Sequence, residues 1–239
     1  MMCIVGQTNL YFGAIQKKCS MNNQNKLLIV AITWAVLFLL YSINRFLLKN
    51  TFLKNFTKIN RPLVSNLSKP PGTILSKIGV LFVFGINIIT ILILIIDSLP
   101  SSINQYFVVL KVDFPLWVNI IGSVLFVIDD IFGFFAMVFN PNYTPLYKIP
   151  PQEFILATQG PYRLIRHPRY TVEAFLNIAL FLFTGIWLPM LGLIGWIAIY
   201  HQVLSEEGYL MTLAAKEYTE YRNKTNMFVP KFQRKQSIK

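Results

Sequence analysis

The sequence predicts an all-α fold: an integral membrane helical bundle of about five transmembrane helices, with a C-terminal cytoplasmic amphipathic helix. Three observations predict it. Only 13% of the 239 residues are charged and 54% are hydrophobic, whereas a soluble domain carries about 25% charged residues. Mean hydropathy is +0.52. The apolar residues also gather in blocks close to the roughly 20 residues that cross a bilayer as a helix. Helical spans follow because lipid offers no partner for backbone polar groups, which a helix satisfies internally.

Taken in order, residues 1–26 form an N-terminal segment and 27–239 a single membrane domain. Lys17 and Lys18 follow the first apolar stretch instead of leading it, so no cleavable signal is expected. Met21 is a second candidate start. The spans are expected at about 27–46, 78–96, 116–139, 171–183 and 188–204. Asp129 and Asp130 interrupt the third. The turn Thr184-Gly185-Ile186-Trp187 makes the last two a tight helical hairpin.

The formal charge of +12 would suggest nucleic acid in a soluble chain. Here it follows loops and predicts topology, with membrane lipids and not nucleic acid as the anionic partner. The loop from span one to two, the loop from three to four and the C-terminal tail hold eighteen of the twenty-two Lys and Arg. That bias puts the N-terminus outside and the C-terminus in the cytoplasm of a bacterial inner membrane or the endoplasmic reticulum. Cys3 and Cys19 offer no disulfide framework, and two distant histidines without a carboxylate cluster argue against a metal centre.

Charge is spent unevenly. Gly160-Pro161-Tyr162-Arg163-Leu164-Ile165-Arg166-His167-Pro168-Arg169-Tyr170 packs three arginines, two tyrosines and one of two histidines before span four. Pro168 suits a first helical turn, where its missing N–H is no loss. His167 then lies at the cap, and the helix N-terminus favours an anion. Ser205-Glu206-Glu207 closes span five, and Tyr218 and Arg222 are i,i+4 neighbours on an expected amphipathic helix continuing from it. The hairpin would bring the His-Pro motif and the Glu pair face to face across a small cavity. Each residue also has an ordinary reading: arginines as topology determinants, Tyr162 and Tyr170 as interface aromatics, the Glu pair as a solvated helix start. His201 reads as structural. Asp129, Asp130 and Glu173 are harder to dismiss, because carboxylates inside a membrane are costly.

The order Gly-Pro-Tyr-Arg-x-x-Arg-His-Pro-x-Tyr, Glu206-Glu207-x-x-Leu210, Tyr218-x-x-Tyr221 and Val229-Pro230 resembles the isoprenylcysteine carboxyl methyltransferase family, relatives of the phospholipid methyltransferases. The resemblance covers roughly residues 150–232. It implies an integral membrane enzyme using S-adenosyl-L-methionine and a lipid-like or prenylated substrate. It implicates His167, Tyr170, Glu206 and Glu207 in the cofactor pocket, with Tyr162 beside them. It also implicates Arg166, and with it Arg222, at the substrate carboxylate, and Glu173 joins these as a catalytic candidate. Val172 stands where the family often has Gly, and Ala214-Ala215 where it often has Phe-Gly. These departures bear on pocket shape and substrate more than on cofactor.

The expected chemistry is displacement at a sulfonium methyl by a carboxylate, which is already ionised at neutral pH. Alignment and exclusion of water then carry the rate. Two other enzyme readings stay open: a phospholipid amine N-methyltransferase, with Glu173 or Asp130 taking a proton, and an NADPH-dependent steroid-reductase-like enzyme. The last is suggested by Arg166-His167-Pro168-x-Tyr170-x-x-Glu173 and an ending similar to Thr225–Pro230. A membrane scaffold or transporter is the non-enzymatic reading.

Overall fold

The computed structural model describes residues 20–43, 74–99, 102–140 and 156–231. Cys3, Cys19, the expected end of span one at Phe46, and residues 150–155 and 232 lie outside the described residues. Among the described residues six α-helices carry the fold: α1 (Asn23–Ser42), α2 (Ile74–Ser98), α3 (Leu116–Val138), α4 (Pro168–Thr184), α5 (Leu188–Leu213) and α6 (Ala215–Lys224). Two 3₁₀ segments, Ser102–Leu110 and Gly160–Arg163, precede α3 and α4. Among the described residues there is no strand, only two isolated bridges.

Among the described residues four helices, α1, α2, α3 and α5, are long and apolar enough to cross a membrane. At 17 residues, α4 sits at the short end of the roughly 17–25 that suffice. Asp129 and Asp130 lie well inside α3, not at a span boundary.

Packing follows two close pairings, α3 with α4 and α2 with α5. Small residues allow both, as expected where helices associate by close approach. A Cβ on Gly122 would stand 2.2 Å from the Phe183 backbone nitrogen, so α3 and α4 touch main chain to main chain there. Gly79 and Gly195 do the same for α2 and α5, each facing the other's carbonyl oxygen. Phe126 and Phe183 stack with centroids 5.7 Å apart. By contrast α1 is a light outer wall, burying only Lys26 and Val30.

Gly185 ends α4 at φ 79, a left-handed cap that suits glycine, and its N–H returns to the Phe181 carbonyl. The hairpin turn is bonded to the 3₁₀ segment through Val112 N–H to Gly185 O at 2.8 Å and Trp187 N–H to Leu110 O at 3.0 Å. Lys26 Nζ reaches the Thr184 carbonyl at 3.0 Å, and Asp97 receives Asn23 and Lys111. The far end of the hairpin is thereby fixed, which sets where its near end delivers the His-Pro motif.

Helix α5 runs past the expected span end near Leu204 to Leu213, so Glu206 and Glu207 sit inside it. One expectation needs correction: the amphipathic helix does not continue smoothly from it. Ala214, at φ −146 and ψ 56, breaks the path before α6.

Candidate functional site at the junction of α4, α5 and α6

Pro168 occupies the first turn of α4 and His167 its N-cap, as the sequence pattern implied. The His167 side chain does not cap the helix. It turns to α5, where Nε2 lies 3.2 Å from Glu207 Oε1. Arg166 Nε donates to the same oxygen at 2.7 Å, and both side chains are 7% exposed. Arg166 also donates to the carbonyls of Arg222 (3.4 Å) and Thr225. One turn along α4, Tyr170 Oη donates to Glu206 Oε1 at 2.5 Å, and Gln202 Nε2 donates to that oxygen at 3.2 Å.

The chain after α6 holds this arrangement from outside. Arg166 N–H bonds Asn226 O at 2.9 Å and His167 N–H bonds Met227 O at 3.0 Å. Phe228 then packs on His167 and Trp196, with centroids 6.2 and 4.8 Å away. Trp196 Nε1 donates to the Tyr170 carbonyl at 3.0 Å.

The two glutamates differ electrically. Glu207 is buried and neutralised by a guanidinium. Glu206 is half-buried, and Tyr170 and Gln202 are neutral donors. Among the described residues no cationic group pairs with it, which leaves it open to one. Tyr218 is buried against the Glu207–Arg166 pair, and burial pushes its hydroxyl above the ordinary value, so it stays neutral at physiological pH.

His167, Tyr170, Glu206, Glu207 and Arg166 thus converge, as the sequence suggested, but in direct contact and not across a cavity. Three other candidates stand elsewhere. Tyr162 is a strut: its hydroxyl accepts from Asn140 at 3.1 Å and its carbonyl from Tyr221 Oη at 2.6 Å. Arg222 offers Arg166 its carbonyl, while its own side chain is exposed. Glu173 is buried on α4 in ion contact with Arg169 at 2.5 Å, and it lines a different space.

That space is a chamber of about 520 Å³ between α1, α2, α3 and α4. Its polar lining includes Asp130, Arg169, Glu173 and Asn87, with Trp34 and Tyr41 beside them. Trp34, Phe38 and Ile88 form an exposed rim, so it opens sideways beside α1. Arg169 and Tyr170 are consecutive and about 100° apart on the helix. One enters the chamber while the other enters the junction cluster. The sequence reading assigned Arg169 to topology, although its i,i+4 spacing to Glu173 was a usable signal. Gln202, Asn87 and Trp34 carried none, because their partners lie on other helices. Among the described residues no group of His, Cys, Asp and Glu could hold a metal ion.

No protein-family model matches this chain, and comparison with curated proteins finds no match.

Proposed function

We propose that this chain is an integral membrane methyltransferase that binds S-adenosylmethionine at the α4–α5–α6 junction and methylates a lipid-like acceptor. One observation carries the reading: Glu206 presents a half-buried carboxylate whose donors among the described residues, Tyr170 and Gln202, are neutral, beside a buried Arg166–Glu207–His167 cluster. A cofactor with an ammonium and a sulfonium needs negative charge, and the reading gives Glu206 that role. Tyr170 holds the Glu206 carboxylate in place, and His167 lines the pocket beside Glu207.

In this reading α4 is a fifth span, the N-terminus is outside and α6 is cytoplasmic. The Lys and Arg distribution supports that orientation. The cofactor then comes from the cytoplasm and the acceptor from the membrane.

The first acceptor is a carboxylate, isoprenylcysteine among them. It would take Arg166 by exchange, Glu207 turning toward the cofactor as the substrate pairs with the guanidinium. A carboxylate oxygen attacks the sulfonium methyl, the carbon–sulfur bond breaks, and S-adenosylhomocysteine leaves with no proton to dispose of. A lipid amine is the second acceptor, favoured by the acidic lining of the chamber. The test is transfer of labelled methyl from S-adenosylmethionine to a lipid extract by purified protein. Base-labile label in the organic phase identifies a methyl ester, and base-stable label an N-methyl product. No transfer to any extract, in protein that is folded, contradicts the proposal.

A further inference from the structure

The chamber between α1 and α4 has a charge pattern that a ligand would complete. Its lining carries two carboxylates, Asp130 and Glu173, and one guanidinium, Arg169. Arg169 is committed to Glu173 through Nη2 and Oε1, at 2.5 Å, and lies 5.8 Å from the centre of the Phe84 ring. Among the described residues Asp130 receives only a neutral donor, Trp34 Nε1, at 3.1 Å on Oδ2. Among the described residues the lining thus sets two carboxyl groups against one guanidinium, and Asp129 stands behind it, buried, with Oδ2 unpartnered.

Two further acceptor atoms, Glu173 Oε2 and Asn87 Oδ1, point to a missing donor. Glu173 is 2% exposed and its Oε2 has no partner. Asn87 is 7% exposed and neither of its amide atoms is bonded. A buried polar atom without a partner costs about 1–3 kcal/mol, and ionisable groups inside a membrane bundle usually mark a ligand path. Asp130, Glu173 Oε2 and Asn87 Oδ1 are three acceptors, and a primary ammonium has three donors. The rest of the wall is Leu37, Phe38, Ile88, Phe126, Phe134 and Leu176, suited to a hydrocarbon chain. The volume falls in the roughly 300–1,000 Å³ range of small-ligand sites, which fits one chain with a small head.

We infer that this chamber binds a single-chain lipid amine, entering beside α1 with its ammonium among Asp130, Glu173 and Asn87. A fatty carboxylate would meet two acids and an arginine already paired. The inference concerns binding and rests on the chamber alone, so failure of the cofactor reading leaves it intact.

Trp34 provides the readout. Octadecylamine, octadecanol and octadecanoate are titrated separately into purified protein in an uncharged detergent, with tryptophan emission followed and Trp34→Phe as the signal control. The expected result is saturable change with the amine, about tenfold tighter than with the alcohol or the acid, the worth of a charge-assisted contact. Asp130→Asn removes that preference. Glu173→Gln, which frees Arg169, shifts it toward octadecanoate and serves where Asp130→Asn does not fold. Equal or tighter binding of octadecanoate by wild type, no saturable response to the amine, or an amine preference unchanged in the variants would overturn the inference.

Discussion

Arg166 Nε and Glu207 Oε1 meet at 2.7 Å across 41 residues of sequence, each side chain 7% exposed. The contact joins the loop before α4 to the extension of α5. Breaking a buried pair from one side leaves an uncompensated charge, at a cost of about 3–5 kcal/mol. Glu207→Gln is expected to lower the unfolding midpoint in detergent markedly. The double change Arg166→Met with Glu207→Gln should recover part of that loss, a coupling of about 0.5–3 kcal/mol in a double-mutant cycle.

Glu206 is predicted to behave differently. Its partners are neutral and it is only half-buried. Glu206→Gln should therefore leave thermal stability nearly unchanged while reducing S-adenosylhomocysteine affinity by about tenfold or more, the worth of one charge-assisted bond. Equal losses of stability in the two Glu variants would count against this division of roles.

Tyr170→Phe removes one donor from Glu206. The expected effect is a loss of about 0.5–1.5 kcal/mol, seen in cofactor affinity more than in folding, since Gln202 still holds the carboxylate. Isothermal calorimetry beside a melting curve separates the two.

Glycine substitutions test the packing. Gly122→Ala places a methyl 2.2 Å from the Phe183 nitrogen, a main-chain contact that cannot yield. It is expected to destabilise by about 1–3 kcal/mol or more. Gly85→Ala meets nothing within 4 Å and should be neutral or slightly stabilising. Equal melting points for the pair would contradict the α3–α4 contact.

The start of α4 was legible because Pro168 marks a first turn by its own chemistry, and α3 because its apolar run is bounded at both ends. The partners of Glu206 and Glu207 were not. The pair looks like a helix meeting water, yet Tyr170, Gln202, Arg166 and His167 supply partners inside the fold. The helix expected to continue from α5 does bring Tyr218 back to Glu207, but through the break at Ala214. Spacing cannot reveal such a bend. The chamber was unreadable for the same reason: Trp34, Asn87, Asp130 and Arg169 come from four helices, and only the Arg169–Glu173 spacing is local.

The orientation has its own test. Cys3 and Cys19 precede the first span and are the chain's only cysteines. An impermeant maleimide applied to the non-cytoplasmic face should label them without permeabilisation. A cysteine placed at Ser237 in a Cys3→Ser, Cys19→Ser background should label only after it. The reverse pattern would put the junction cluster on the wrong side for a cytoplasmic cofactor.

Cofactor binding at the junction tests the central claim most directly. Purified protein in detergent is titrated calorimetrically with S-adenosylhomocysteine and, separately, with NADPH. Saturable binding of S-adenosylhomocysteine alone, lost in Glu206→Gln, is the predicted result. Binding of NADPH instead, or of neither by protein with an intact melting transition, would contradict it.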